Sequence, residues 1–389
     1  MRSKAPRLQS FRLKNFKAVR DSGTVRFTPL TVFIGNNGSG KSSLVEGLET
    51  FQTIVEQGLD KAMQEWRGFE YIRHQGVSHD LQETDTEQPC SPHPMSFDLR
   101  GRTKQGSFTV AVRINMRPGS NEIFIQDERV AINNRLRLTR DATGKAIFHD
   151  GKLPPGPRRP LPYGQSLLKG TLDDFITQWQ FVSLIAQAMG SPTPQQRTGG
   201  LIRLAKDGSN IAEYLMSIRK LDQSAFERIV ETLQYILPYA RDLQPTLTSE
   251  LERTVYLQMT EGDFKVPGWL LSTGTLRIVA LLALLRHPTP PPLIIIEEVE
   301  NGLDPRTLHL LVEEIHTAIE SGRAQIILTT HSPYLLDLLD LSQIVLVDRV
   351  NGEPTFTRPA DQQSLQEWAK NFSPGRLYTM ELLGRKMGA

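Results

Sequence analysis

Only one cysteine, Cys90, occurs in 389 residues, so an internal disulfide framework is excluded and a reducing compartment is expected. It stands in the polar stretch "TDTEQPCSPHP", where a lone loop cysteine is inert rather than catalytic. No apolar run is long enough to span a bilayer; the longest, such as "RIVALLALL", fall well short. The start, "MRSKAPRLQSFRLKNF", is basic but has no apolar core, so no signal peptide is expected and the placement is cytoplasmic without membrane contact. Charge of one sign is also missing. Lys and Arg number 45 against 43 Asp and Glu, a net of +2, so any basic patch must be local. Internal repeats, low-complexity tracts and a sustained heptad pattern are absent, which excludes solenoids and long coiled coils.

What is present is alternation. "FRLKNF" and "TVRFTPLTVFIG" read as strands broken by the turn-like "DSG". Residues 41–57 read as a helix, with Leu44, Leu48, Phe51 and Val55 at three- and four-residue spacing. Polar, proline-bearing residues 76–94 predict a loop or boundary. Short alternating runs from 95 to 150 predict an antiparallel lobe, closed by "KLPPGPRRPLP", whose prolines continue neither sheet nor helix. Residues 171–236 read as helical, including "LDDFITQWQFVSLIAQAM". From 293 to 347 strand and helix alternate again, which predicts a parallel sheet covered by helices.

Between the apolar run Leu30 to Ile34 and the helix lies "GNNGSGKS", residues 35–42, which fits G-x-x-x-x-G-K-[ST] in strand–loop–helix context. Gly35, Gly38 and Gly40 allow turns that a side chain would obstruct, so backbone N–H groups can converge on phosphate oxygens. The expected nucleotide-binding set is Asn36, Asn37, Gly38, Ser39, Gly40, Lys41, Ser42 and Ser43. Lys41 would reach the β- and γ-phosphates and Ser42 would bind Mg2+. The competing reading, a chance glycine-rich turn, does not account for the complete pattern.

A phosphate loop needs a carboxylate beside the metal and a base beside the attacking water. "PLIIIEEVE" supplies a fully apolar strand ending in Glu297 and Glu298, and the carboxyl ends of such strands are where ligands bind. Glu297 takes the magnesium side and Glu298 the base in this reading; two solvated glutamates are the bland alternative. "NGLDP" follows at once. "IILTTHSPYLLD" places His331 at the end of the next strand, where it could sense a γ-phosphate.

"WLLSTGTLRIVALLALL", 269–285, opens a helix just before the acidic strand. "LSTGT" resembles the signature motif of ABC-type ATPases. The order of phosphate loop, signature, "IIIEE", "NGLDP" and "TTHS" resembles the RecF/SMC/OLD-like group, including AAA-type ATP-binding proteins of bacterial defence modules. "DGSNIAEYLMSI" is similar to their helical-lobe segment. The resemblance covers residues 9–57 and 200–347. It implies an α/β P-loop NTPase fold of ABC-ATPase type with a mixed central sheet, an antiparallel β lobe and an inserted helical lobe. It implies cofactors ATP and Mg2+, and an ATP-dependent head-to-tail homodimer or higher oligomer. Ser272 and Gly274 of one subunit would cover the ATP on the other, with Asp304 at the seam. Departures from the group are Glu297 where aspartate is common and Val299 where proline is frequent. Gln75, in "YIRHQGV", is the candidate for the glutamine that bridges metal and insertion.

The expected division is 1–94 as the first half of the ATPase head, 95–160 as the β lobe, 161–250 as the helical insertion, and 251–389 as the second half. Arg129, Arg135, Arg137 and Arg140 in "RVAINNRLRLTR", with Arg158 and Arg159 in "GPRRP", read either as a DNA or RNA groove or as a solvated strand face. OLD nucleases continue past the histidine with a metal-dependent TOPRIM domain. The segment after His331 carries no such acidic cluster, so a separate effector such as a nuclease is the expected partner. The leading functional expectation is an ATP-driven dimeric switch that clamps or senses a target in anti-phage or DNA-linked defence. The alternatives are a DNA-binding repair or structural ATPase of RecF/SMC type, and a nucleotide-binding scaffold with negligible turnover.

Overall fold

The computed structural model describes residues 6–76, 93–117, 120, 122–140, 146–149, 164–169, 172–196, 200–249 and 252–383. Cys90, Arg158 and Arg159 lie outside these residues, as do most of the polar stretch after 76 and the proline-rich stretch after 150. The chain divides into two units. One comprises Met1–Trp179, Leu341–Lys370 and Glu381–Ala389; the other comprises Gln180–Asp340 and Asn371–Met380.

In the first unit, alternation of apolar and polar residues produces a long antiparallel sheet. Arg7–Phe16 pairs with Val19–Asp21 and Val25–Arg26 on one side and with Met95–Thr103 on the other. Gly106–Met116, Ile123–Ile132, Arg135–Arg140 and Ala146–Phe148 follow in order. The expected antiparallel lobe therefore shares its sheet with the N-terminal strand. Its inner face carries Phe11, Leu13, Phe97, Phe108 and Phe124, all buried, as period-two patterning requires.

Against that face lies the helix Lys41–Gln57, through the buried Leu44, Leu48, Phe51 and Val55 of the expected stripe. Phe51 meets Phe97 and Trp179 at ring-centroid separations of 5.8 and 6.4 Å. The helix approaches the sheet closely at Gly47, where a Cβ would fall 2.5 Å from Leu13 Cδ2. Leu30–Ile34, buried along its whole length, runs parallel to Ile344–Val350, which pairs antiparallel with Glu353–Thr357.

In the second unit, three parallel strands stand side by side: Gln180–Val182, Leu293–Ile296 and Gln325–Thr330. The helices Thr273–Leu285 and Pro305–Glu320 belong with them. Every residue from Thr275 to Leu285 is buried, which explains the nearly continuous apolar text there. A second, antiparallel sheet of Thr193–Pro194, Ala240–Leu247, Thr254–Glu261 and Phe264–Pro267 accompanies the helices Ile211–Leu221 and Gln223–Ile236. The region read as helical is thus a mixed lobe.

One reading fails outright. "LDDFITQWQFVSLIAQAM" is not one helix but a short helix Asp173–Ile176, the strand Gln180–Val182 and a second short helix Ala186–Gly190. Pairing with Leu293–Ile296 buries Phe181 and Val182 and satisfies their backbone, and that outweighs local helix preference. Among the described residues, no helix is long and apolar enough to cross a membrane.

Candidate functional site

The phosphate-loop motif sits in the first unit, on the strand Leu30–Ile34 and the helix Lys41–Gln57. Asn36, Asn37 and Gly38 form its exposed crest, whereas Gly35, Ser39, Gly40, Lys41 and Ser43 are buried and Ser42 is exposed. The glycines are sterically enforced. A Cβ at Gly35 would fall 2.0 Å from the Val347 carbonyl oxygen. Gly40 adopts φ +113°, and a Cβ there would meet Pro354 at 2.7 Å. Lys41 Nζ donates to the carbonyls of Gly35 at 2.7 Å and Asn36 at 3.0 Å. That holds its ammonium over the loop. No side chain caps the helix, so the first-turn amides remain for an anion. Ser39 Oγ is buried without a hydrogen-bond partner. An enforced concave backbone, a helix start without a cap and a buried ammonium fit a polyphosphate.

Arg349 was not legible in the sequence. At the end of Ile344–Val350, its Nε donates to the Gly38 carbonyl at 2.8 Å and its Nη1 to the Gly352 carbonyl at 3.1 Å. It braces the crest of the loop from a hairpin more than 300 residues away in sequence. Gln75 lies exposed in a turn after Phe69–Ile72.

The other expected residues lie in the second unit. Leu293–Ile296 ends at the half-buried Glu297, whose N–H donates to the Val182 carbonyl at 2.9 Å. Glu298 is exposed and has φ +48°, a left-handed conformation that costs a non-glycine residue about 1–3 kcal/mol. Its environment holds it there: its N–H donates to Thr329 Oγ1 at 3.0 Å, and Asn301 Nδ2 donates to its carboxylate. Its carbonyl receives Arg277 Nη2 at 3.0 Å.

Arg277 comes from the helix Thr273–Leu285 and also donates from Nη1 to the Leu184 carbonyl at 2.9 Å. Burial pulls its pKa down, opposed by the charges of Glu298 and Glu300. Glu300, two residues past Glu298, accepts the His331 N–H at 2.6 Å, while its second carboxylate oxygen is buried and unpartnered. His331 itself is half-buried, after the strand Gln325–Thr330. Thr329, Arg277 and Glu300 therefore shape the acidic corner, although the motif stretches that contain them assign them no role. The available signal was a single arginine in an otherwise apolar helix.

Ser272 is the N-cap of Thr273–Leu285, accepting from the Thr275 N–H at 3.1 Å, and it lies exposed with Thr273 at the start of a buried helix. Its Oγ is 2.8 Å from Thr275 Oγ1, which is 3.1 Å from Tyr239 Oη. A Cβ at Gly274 would fall 2.6 Å from the Gly302 carbonyl oxygen, so glycine lets the "NGLDP" turn approach the signature helix. Asp304 caps Pro305–Glu320, accepting from the N–H groups of Arg306 and Thr307 and from Thr307 Oγ1 at 2.6 Å. Those hydrogen bonds hold its carboxyl below the usual carboxylate range.

The basic residues separate. In register across the first unit's sheet, Arg12 faces Asp98, Asp98 faces Ala111 and Ala111 faces Arg129. Arg12, Asp98, Arg100 and Arg129 line a groove of about 410 Å3, and Arg135 is exposed nearby. Arg140 does not belong to that face. It is fully buried, 3.8 Å from Glu128 and bonded to the Gln165 carbonyl at 2.6 Å. The expected four-arginine groove therefore loses this member, because strand alternation turns Arg140 toward the core.

The fold is that of an SMC-head-like P-loop ATPase. The structure of an Smc head domain with an extended coiled coil, bound to the C-terminal domain of ScpA derived from Pyrococcus furiosus, covers 94% of this chain and 100% of its own at TM-score 0.53 and 12% identity. A family model described as "AAA domain, putative AbiEii toxin, Type IV TA system" matches residues 172–337, and one described as "AAA ATPase domain" matches residues 7–88. An "ATP/GTP phosphatase" of Helicobacter pylori is 21% identical over 86% of this chain and 87% of its own. An "OLD nuclease" of Thermus scotoductus is 21% identical over 95% of this chain and 67% of its own. Motif order, fold and these relatives together fit an ABC-type ATPase of the RecF/SMC/OLD-like group.

Proposed function

We propose that the chain binds and hydrolyses ATP as a head-to-tail homodimer whose closure controls a separate effector. The observation that carries this reading is the signature helix. Its exposed start, Ser272 and Thr273, faces outward on an otherwise buried helix, and the same helix holds Glu298 in place through Arg277. An outward-facing start suits a nucleotide held by a second copy. In this reading residues 36–43 cradle the phosphates, with Lys41 on the β- and γ-phosphates. Glu298 orients or deprotonates water and His331 senses the γ-phosphate. Asp304, with its carboxylate engaged in capping, shapes the seam rather than reaching across it.

Ser42 and Glu297 would hold Mg2+. Among the described residues there is no cluster of three or more metal-ligating side chains. A magnesium ion held so would take its remaining ligands from phosphate oxygens and water. When bound, the ion would neutralise charge on the transferred phosphoryl group. We keep the four-part division 1–94, 95–160, 161–250 and 251–389 as a functional one, with the two outer parts forming the ATPase head and the inner two its lobes. The names of two matches, an OLD nuclease and an AbiEii toxin model, support a role in anti-phage or DNA-linked defence with a nuclease-type effector.

Complementation tests the trans arrangement. Ser272→Arg should leave nucleotide binding to a single chain intact but block closure and turnover, and Lys41→Ala should abolish binding. A heterodimer of the two has one site with both defects and one with neither, so mixing should restore part of the activity that each variant lacks. Ser272→Arg protein that hydrolyses ATP and dimerises like the parent would sink the reading.

A second reading rests on the groove of Arg12, Arg100 and Arg129, which suits a nucleic-acid backbone. It predicts DNA affinity that falls steeply with salt and weakens in Arg100→Ala. Binding indifferent to salt would remove it.

A further inference from the structure

Gly35, Gly38 and Gly40 of the phosphate loop are all met by one hairpin, Ile344–Val350 with Glu353–Thr357, in the same unit as the loop. Asn351 and Gly352 join its strands at φ +53° and +82°, a tight two-residue turn that the sequence Asn-Gly favours. Such a turn fixes the register, and Arg349 stands directly across from Pro354. Pro354 is the neighbour that a Cβ at Gly40 would strike, and the Val347 carbonyl is the one at Gly35. Gly38 differs. Beyond its chain neighbours, no atom lies within 4 Å of where its Cβ would be, so packing does not hold it. Its hold on the hairpin is Arg349 Nε, donating to its carbonyl at 2.8 Å while Nη1 is anchored on the Gly352 carbonyl of the turn.

The direction of the Gly38 carbonyl matters for an anion. The peptide between Gly38 and Ser39 is planar and trans, so its C=O and N–H point opposite ways. Its N–H donates to the Asn36 carbonyl at 3.1 Å, and the same Asn36 oxygen accepts Lys41 Nζ at 3.0 Å. The N–H end therefore faces the lysine side of the loop and the carbonyl end faces the hairpin. Turning this peptide over would aim the negative end of a carbonyl at the lysine side, where it would repel a phosphate. Glycine at 38, with φ +73°, makes that turnover easy, because it adopts conformations closed to other residues.

We propose that Arg349 is a positioning residue for the nucleotide. It keeps the crest carbonyl out of the phosphate cradle, and so sets ATP affinity from a hairpin more than 300 residues away in sequence. The proposal rests on the reading of residues 36–43 as that cradle. Arg349 acts through the backbone of the loop and not on the phosphates. If its loss leaves the crest correctly turned about one-tenth of the time, apparent affinity falls by the same fraction. Turnover of ATP already bound depends on other residues and falls far less.

Calorimetry and steady-state kinetics on full-length Arg349→Ala and Arg349→Lys proteins test it. Arg349→Ala should bind ATP about tenfold more weakly and raise KM by a similar factor, with a much smaller fall in kcat. Arg349→Lys, which keeps a donor but not the fork that grips two carbonyls, should recover part of that affinity. Because the effect comes from backbone orientation, the loss in Arg349→Ala should be the same at low and high salt. A loss that fades as salt rises would make the guanidinium only a distant charge on the triphosphate, and would overturn the proposal. So would an Arg349→Ala protein whose ATP affinity stays within about twofold of the parent's. The exposed position predicts an unaltered melting temperature without nucleotide, which excludes misfolding as the cause. Lys41→Ala separates the two levels. ATP binding that survives Lys41→Ala refutes the cradle itself, whereas failure confined to the Arg349 variants refutes this inference alone.

Discussion

Glu298 is held in a conformation it would not choose. Its φ of +48° persists because Thr329, Asn301 and Arg277 each engage a different part of it. Strain of this kind, held by several partners, is expected where one carboxylate must stay aimed at one water. Glu298→Gln should therefore bind ATP with parental affinity and turn it over about 10²–10⁴-fold more slowly, measured by phosphate release. If Glu297→Gln gives that trapped state and Glu298→Gln does not, the two roles are exchanged. Arg277 acts through others, by tying the signature helix to the acidic corner. Arg277→Met keeps most of the apolar bulk but leaves the Leu184 and Glu298 carbonyls unpaired. We expect turnover to fall about tenfold or more while ATP affinity of the single chain holds, with Arg277→Lys intermediate. Parent-like turnover in Arg277→Met would show that the tie is only structural. Glu297, Glu298 and His331 could be read from the sequence because each stands at the end of an apolar strand. Arg277, Glu300, Thr329 and Arg349 could not, because their partners are distant in sequence and a side chain's reach has no period.

Elements were legible where one period ran long enough. Lys41–Gln57 and Thr273–Leu285 were visible as apolar stripes, and Leu293–Ile296 as a run of four apolar residues between turn formers. Short apolar runs were not, and the residues around Gln180–Val182 read equally as helix until their strand partner was known. Charge patterns misled in a similar way. Arg140 counts as part of a basic cluster by composition, yet strand alternation turns it inward to a buried pair with Glu128. There Glu128 also accepts from Ser166 Oγ and the Leu167 N–H, so the pair staples the 164–169 segment to the sheet. Burial raises the Glu128 pKa and lowers that of Arg140, each favouring the neutral form that desolvation prefers. Removing one partner leaves a buried charge uncompensated, so Arg140→Met should cost about 3–5 kcal/mol in urea unfolding. A loss within about 0.5 kcal/mol, the range of ordinary surface substitutions, would place Arg140 at the surface after all. Phe51→Ala, which removes the ring between Phe97 and Trp179, should cost a similar amount, about 3–5 kcal/mol.

For the whole molecule, ATP is proposed as the ligand that joins two copies. A ligand that binds only the closed pair shifts the equilibrium toward it by mass action, and hydrolysis releases it. A variant that binds but does not hydrolyse should therefore accumulate as the closed dimer. The most direct measurement is the sedimentation mass of Glu298→Gln protein with and without saturating ATP and Mg2+. The account predicts a monomer without nucleotide, a dimer with ATP, and return to monomer when Ser272→Arg is added to the same chain. A Glu298→Gln protein that binds ATP stoichiometrically yet keeps one mass in both conditions would contradict it.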